Sequence, residues 1–363
     1  MISPESNPGR LAQASLRRFF AIALGVFLLW AWGSGAQDPT HASLAGEVKH
    51  VDTGDPLPLA NVFFAQTVLG TSTDMSGRFR LDRIPPGHYL LVISLVGFQP
   101  LHEEIVLRGG VRETRTLLLR PRELVAEEIQ VEGQSPAEWE HSLAQFIPAF
   151  LGLTANAGEC AILNPHVINF RRDSISSQLI AWTDSTIVVE NRALGYRLSV
   201  VLESFSLNIG MDVGRYSIFP RFEPLSPRTD DEANTWIRNQ MRTHKGSLKH
   251  FLSSLAHETL ADSMFAVYSG PLDYLRGGNG LMVGGEEILL MPGLGPETLR
   301  MSFAGWLRIE YRNVIPPARS YIQMEAPSAT IDYRGNLLSP FALLVGGEWA
   351  KSGVADLLPI EMH

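Results

Sequence analysis

Cysteine is almost missing from this chain: Cys160 is the single one in 363 residues. One thiol cannot close an internal disulfide, so the fold must rest on apolar burial. Basic residues are also scarce, 30 Lys and Arg against 38 Asp and Glu, for a net charge of −8. Removing residues 1–36, which hold Arg10, Arg17, Arg18 and Glu5, takes away +2 and leaves −10. With no block of Lys and Arg to offset it, such a surface repels phosphate and argues against a nucleic-acid partner. The apolar run Phe19 to Trp32 covers 14 residues, broken only by Gly25. A membrane-spanning helix needs about 20, so no span is expected. At 45% hydrophobic residues the chain is not disordered as a whole.

The short apolar run has another meaning. Arg17-Arg18 precede it and Ser34-Gly35-Ala36 follow it, with small residues at the −3 and −1 positions of a cut before Gln37. This is the three-part layout of a secretory signal peptide, expected over 1–36. Cys160 lies far from that cut and cannot be a lipidated first residue. Its neighbours Ala157, Gly158, Ala161, Ile162 and Leu163 predict a buried, inert thiol.

Residues 41–120 read as short strands between turns. Asn61–Ala65 and Arg78–Leu81 are strand candidates, and Tyr89 to Leu95 is a continuous apolar run, as for a strand inside a sandwich. Asp52–Pro56, Asp74–Gly77 and Pro85–Gly87 supply the turn chemistry between them. The pattern predicts a small β-sandwich.

The same residues carry a resemblance. Gly46-Glu47-Val48, Gly54–Val62, Gly70–Phe79 and Ser94–Phe98 resemble, in order, the carboxypeptidase regulatory-like domain. The resemblance implies a transthyretin-like sandwich of seven strands and an exported protein of Bacteroidetes-type bacteria. It also implies the periplasm or the outer-membrane or cell surface of a Gram-negative cell, and no chemistry in the module itself. Leu124 to Gly133, within a linker over 121–134, resembles the strand that follows this module in TonB-dependent receptors. A plug and a barrel of about 22 strands do not fit in the remaining 230 residues or so.

Residues 135–363 predict a larger α+β domain rich in antiparallel sheet. Ser135-Pro136-Ala137-Glu138 and Thr229-Asp230-Asp231-Glu232 are capping boxes that open helices, and a third helix starts at Ser247. Pro148 is expected to kink or end the first helix. Strands are expected at Val167–Phe170, Leu179–Trp182, Thr186–Glu190, Tyr196–Asn208, Ser302–Tyr311 and Ala329–Tyr333. Four blocks resemble the long domain of exported proteins named only for their carboxypeptidase regulatory-like module: Phe150–Ala157 with Cys160 and Asn164-Pro165, Glu190–Tyr196, Lys245–Phe251, and Ala355–Pro359. That resemblance implies no activity.

The search for chemistry returns little. None of the ten histidines has Glu three residues later, and the start His257-Glu258 meets Ala261 where a second His is required. His250 and His257 stand about 10 Å apart along a helix, too far to share one zinc, so neither metal nor cofactor is expected. There is no Gly-x-Ser-x-Gly elbow. Ser247 and His250, one turn apart, are the catalytic candidates, although helix capping already accounts for Ser247. Gly277–Gly280 with Gly284-Gly285 lacks the Lys-Ser/Thr of a phosphate loop and reads as a hairpin or loop. Arg192, Arg238 and His250 are the binding candidates, for an anionic or sugar ligand. The alternative for the arginines is an ion-pair network tying helix to sheet. Trp139, Trp182, Trp236, Trp306 and Trp349 could stack on sugars, though Trp139 and Trp236 sit at core spacing. The expectation is an exported, non-catalytic cell-envelope protein whose partner is an envelope protein or a glycan. The alternatives are a hydrolase of unrecognised type in the C-terminal domain, and a glycan-binding protein.

Overall fold

Alternation with period two builds the first strand, in which Ala42, Leu44 and Val48 point inward and their neighbours toward water. The computed structural model describes residues 40–122, 135–173, 177–210, 213–295, 297–339 and 342–360. The expected signal segment and the strand expected at Leu124 to Gly133 lie outside them. The described residues form a mainly β protein with few helices.

The first unit contains β1 (Ala42–His50), β2 (Asn61–Phe64), β3 (Gly70–Ser72), β4 (Arg78–Ile84), β5 (Gly87–Ser94), β6 (Leu101–Leu107) and β7 (Arg112–Leu119). These form two sheets, in the orders β4-β1-β7 and β3-β2-β5-β6. β1 runs antiparallel to β4 and parallel to β7. Leu44, Val62, Phe64, Leu91 and Ile93 fill the space between the sheets. The sandwich and its turns lie where the sequence places them.

The second unit has α1 (Pro136–Leu151), β8 (Cys160–Ile162), β9 (Ile168–Asp173), β10 (Gln178–Thr183), β11 (Ile187–Asn191), β12 (Tyr196–Asn208) and β13 (Val213–Pro224). They make an antiparallel sheet in the order β8-β11-β12-β10-β9, with β13 also paired to β12. Ser135 opens α1 with the full capping box that the sequence predicts. Pro148 does not end the helix, which continues to Leu151. It stands in the last turn and cannot donate a backbone N–H there, but Phe146 and Phe150 clamp the helix to the sheet around Phe170, Phe205 and Tyr216.

α2 (Asp230–His244) leads into the third unit. Its Trp236 covers Gly195, whose φ of +76° and contact with the indole leave no room for a side chain. Then come α3 (Leu248–Ala256), β14 (Phe265–Gly270), α4 (Leu272–Arg276), β15 (Leu281–Val283), β16 (Leu289–Pro292), β17 (Thr298–Ser302), β18 (Trp306–Tyr311), β19 (Ala318–Met324), β20 (Ala329–Asp332) and β21 (Leu343–Gly347). Sheets β15-β14-β18-β19-β21 and β16-β17-β20 enclose a core with Phe251, Leu252 and Leu255 of α3. The single strand expected over Ser302–Tyr311 is two strands in different sheets. Gly305, at φ +69°, turns the chain between them.

The described residues from 135 to 360 contain the two hydrophobic clusters around Phe146 and around Phe251. A further cluster joins the units: Phe63 and Val92 of the sandwich pack on Val201 and Phe219 of β12 and β13. That contact explains why β2 and β5 are apolar on both faces. Main-chain bonds reinforce it, with the Gln66 N–H donating to the Pro220 carbonyl at 2.6 Å and the Phe222 N–H to the Thr67 carbonyl at 2.9 Å. Among the described residues no helix is long and apolar enough to cross a membrane.

Candidate functional site

The four blocks singled out in residues 135–363 are far apart in sequence and meet at one place. At the end of α1, Gly152 adopts a φ of +97°, and a Cβ there would stand 2.6 Å from the Gly353 nitrogen. Two chain segments can pass this closely only because both residues are glycines. The Leu153 N–H donates to the Lys351 carbonyl at 2.7 Å and continues the contact.

Beyond this point a 3₁₀ turn, Ala155–Glu159, presents Asn156, which is 7% exposed. The Asn156 side-chain amide donates to Thr243 Oγ1 and to Asp356 Oδ1, both at 2.8 Å. The Thr154 hydroxyl donates to Asp356 Oδ1 and Oδ2 at 2.8 and 2.9 Å. Burial pushes the Asp356 carboxyl above its ordinary value, and the bonds from Thr154, Asn156 and Gly353 work against that rise. From the second block, fully buried Asn191 donates to the Ala355 carbonyl at 2.9 Å. In the third block, Lys249 Nζ donates to the Pro359 carbonyl at 3.0 Å and the Gly246 carbonyl accepts Trp349 Nε1–H at 2.7 Å. The segment 353–360 is therefore held by every other block.

A cleft of about 290 Å³ opens beside this knot, lined among others by Gln66, Thr243, Ser247, Lys249, Trp349 and Asp356. Gln66 belongs to the sandwich, and its carbonyl accepts the Ile360 N–H at 2.8 Å. The sandwich and the C-terminal unit thus meet at its walls. The cleft offers a carboxyl, hydroxyls and an apolar side formed by Leu252 and Leu337, suited to holding a polar group beside an apolar one.

The expected site residues lie as follows. Ser247 caps α3, its Oγ accepting the His250 N–H at 3.1 Å. The ring of His250 is not bonded to that hydroxyl; its Nδ1 accepts the Gly246 N–H at 3.1 Å. The His250 ring packs on His244, Phe265 and Tyr311. Burial, with Lys245 adding to it, holds the His250 pKa below the usual imidazole value. Burial and the neighbouring His250 and Lys249 bring His244 down to about 4. Both rings are therefore neutral near pH 7, and His250 does not offer an anion a positive charge.

Arg192 pairs with Glu190 at 2.8 Å and lies 3.7 Å from Glu232 of α2, while Arg197 also reaches Glu190 at 3.3 Å. The hydrogen bond from Arg197, aided by Arg192, holds the Glu190 carboxyl below the usual range. This is the network tying helix to sheet. Arg238 is exposed and donates to Thr235 Oγ1, one turn back on α2, at 2.8 Å. The three binding candidates thus have different partners in different surroundings.

His257 ends α3, its Nδ1 2.9 Å from the Ser253 carbonyl and its ring against Tyr333. Among the described residues no three His, Cys, Asp or Glu are grouped to hold a metal. The Gly277–Gly280 segment is a loop pinned by buried Arg308, whose Nη1 donates to the Leu275 and Asn279 carbonyls at 2.9 and 2.8 Å. Trp139 and Trp349 spend their N–H groups on carbonyls and Trp236 is buried. Thr154, Asn156 and Asp356 were missed, although each stands inside a recognised block; their polarity next to apolar neighbours was the available signal.

Solved structures that resemble the chain include 3-chlorocatechol 1,2-dioxygenase from Rhodococcus opacus 1CP, at 12% identity over 24% of this chain and 63% of that one, with a TM-score of 0.20. The minor pilin GBS52 of Streptococcus agalactiae matches at 19% identity over 24% and 47%, TM-score 0.20. A candidate carbohydrate-binding protein from Bacteroides uniformis matches at 9% identity over 81% and 99%, also at 0.20. The chain spans less than two thirds of the catechol dioxygenases it matches. Scores this low carry no argument about function. No curated protein matches the chain. A family model does match, over residues 44–131, and the sandwich is accordingly a CarboxypepD_reg-like domain.

Proposed function

We propose that this chain is an exported, non-catalytic protein of the cell envelope that works by binding or assembly with an envelope partner. The observation that carries the proposal is the use of the candidate site's polar groups as internal ties. Ser247 caps a helix, His250 Nδ1 takes a backbone N–H, and Asp356 is bonded by Thr154 and Asn156. A nucleophile needs a base within hydrogen-bond reach, and here the serine hydroxyl and the imidazole are bonded to different backbone groups. The CarboxypepD_reg-like domain supports a binding role, and the apolar contact through Phe63, Val92, Val201 and Phe219 supports one rigid body that presents it. Export rests on the signal-like layout of residues 1–36.

In-cell cross-linking of the tagged full chain, with fractionation and mass spectrometry, tests this. The proposal expects the protein in the envelope fraction with a reproducible envelope partner. A cytosolic protein, or a purified chain that hydrolyses esters, peptides or glycosides and loses the activity on Ser247→Ala at unchanged Tm, overturns it.

A further inference from the structure

We infer that the open edge at β15 is a docking site for an extended peptide segment that places an apolar side chain beneath the edge and basic residues beside it. The inference deepens the binding reading above by naming a surface and the chemistry of the partner.

Three observations converge there. First, β15 is the terminal strand of its five-stranded sheet: β14 pairs with one side, and among the described residues no strand pairs with the other. An unpaired edge offers a row of N–H and C=O groups to an added strand. The two common protective devices, a lysine or a proline, are absent from Leu281-Met282-Val283. Leu281 and Met282 are instead 70% and 62% exposed, apolar surface with nothing over it. Three residues are too few to template a sheet but enough for a short peptide.

Second, a cavity of about 570 Å³ lies under this edge, between it and the neighbouring β16. Leu255, Leu260, Phe265, Val267, Ile288 and Leu290 line it, with Met282 at its mouth. The volume is in the range that ordinary ligand pockets occupy, and the walls suit an apolar side chain. Gly284 and Gly285 follow β15 and line the same cavity, with the Glu286 carboxylate folded back over Gly284.

Third, the charge on the rim has one sign. Glu258 and Glu286 both line the mouth, Asp262 and Glu287 are exposed close by in sequence, and no Lys or Arg lines the cavity. Glu286 is oriented by the Gly284 N–H, which donates to its Oε1 at 3.2 Å. Glu258 is held at the end of α3 by a backbone at φ +59°. Carboxylates around an apolar opening favour a segment that alternates apolar and basic residues. They disfavour a fatty acid, whose own carboxylate would meet them.

The test titrates the full chain with a fluorescent peptide of about seven residues alternating lysine and leucine, and with its glutamate–leucine counterpart. The inference expects saturable binding of the basic peptide that weakens as salt rises, and little binding of the acidic one. Met282→Lys, and separately the pair Glu258→Lys with Glu286→Lys, are expected to weaken binding by about tenfold or more at unchanged Tm. Equal binding of both peptides overturns the inference, as does binding that ignores both variants. Uptake of decanoate with no peptide binding shows a small-molecule cavity and overturns it. Dimerisation abolished by Met282→Lys, again with no peptide binding, makes the occupant a second copy and overturns it too. An envelope partner that still cross-links to the Met282→Lys chain removes this site while leaving the binding reading intact.

Discussion

The hydroxyl of Thr154 lies 2.8 and 2.9 Å from the two carboxylate oxygens of Asp356, across 202 positions of sequence. With Asn156 it fastens the end of α1 to the last described segment, and the candidate cleft is bounded by that fastening.

Losing this donor leaves a half-buried carboxylate short of a partner. Thr154→Val, which keeps the shape and deletes the hydroxyl, is expected to cost about 1–3 kcal/mol. Urea unfolding of the variant against the parent measures it. A loss within a few tenths of a kcal/mol would mean that water replaces the threonine.

Asp356 also sets a pH dependence whose sign follows from its raised pKa. The folded state holds the proton more tightly than the unfolded state, whose carboxyl titrates near the ordinary 3.8. Stability from this group is therefore present at low pH and lost as pH rises through the folded value. Comparing Tm of the parent with Asp356→Asn between about pH 7 and pH 4 isolates the effect from other acidic groups. The parent should gain on the variant as pH falls. The opposite slope would show that the bonds from Thr154 and Asn156 outweigh burial.

The Ser247 hydroxyl distinguishes a structural from a chemical role. Ser247→Ala is expected to cost about 1 kcal/mol, and Ser247→Asp to recover most of it, since an aspartate caps a helix as well as a serine does. Chemical denaturation of the three proteins reads the difference. Identical stability of all three would remove the capping role.

Phe219 is 1% exposed and lies in the cluster that joins the sandwich to β12 and β13. Phe219→Ala should cost about 3–5 kcal/mol. Limited proteolysis should then cut between residues 120 and 135 faster than in the parent, as the sandwich loosens from its seat. Unchanged stability with unchanged cutting would mean that the main-chain bonds at Gln66 and Phe222 hold the units together without the apolar contact.

Burial, with Asp356 and Glu159 adding to it, pushes the Cys160 thiol up to about 12. At pH 8 the folded protein should react with iodoacetamide far more slowly than the same chain in urea, where the thiol returns to its ordinary range. Equal rates in the two states would contradict the geometry that points Sγ at the Asn156 carbonyl at 3.3 Å.

Much of the fold was legible in the chain because local chemistry dictates it. The caps at Ser135, Thr229 and Ser247 are side chains bonded to backbone three residues on, so spacing alone reveals them. The turns at Asp74–Gly77 and the alternation in β4 fix the sandwich in the same way. β13 escaped notice because Pro220, Pro224, Arg215 and Arg221 hide its period; a proline is tolerated there because an interior ladder runs on only one side. Gly305 divided one apolar stretch between two sheets, which a count of apolar residues cannot show.

What the sequence determined by itself is therefore the set of interactions that span a few residues: caps, turns, strand faces and a family-like sandwich over 41–120. Tertiary structure alone decided which distant groups meet. Thr154 finds Asp356, Asn191 finds Ala355 and Lys249 finds Pro359 because two glycines let α1 pass close to the chain at Gly353, and because Val354 and Leu357 of the same segment pack into the core of the second unit. No periodicity encodes such a meeting, since its energy is gained only once the chains between have folded and the entropy of closing those long loops has been overcome.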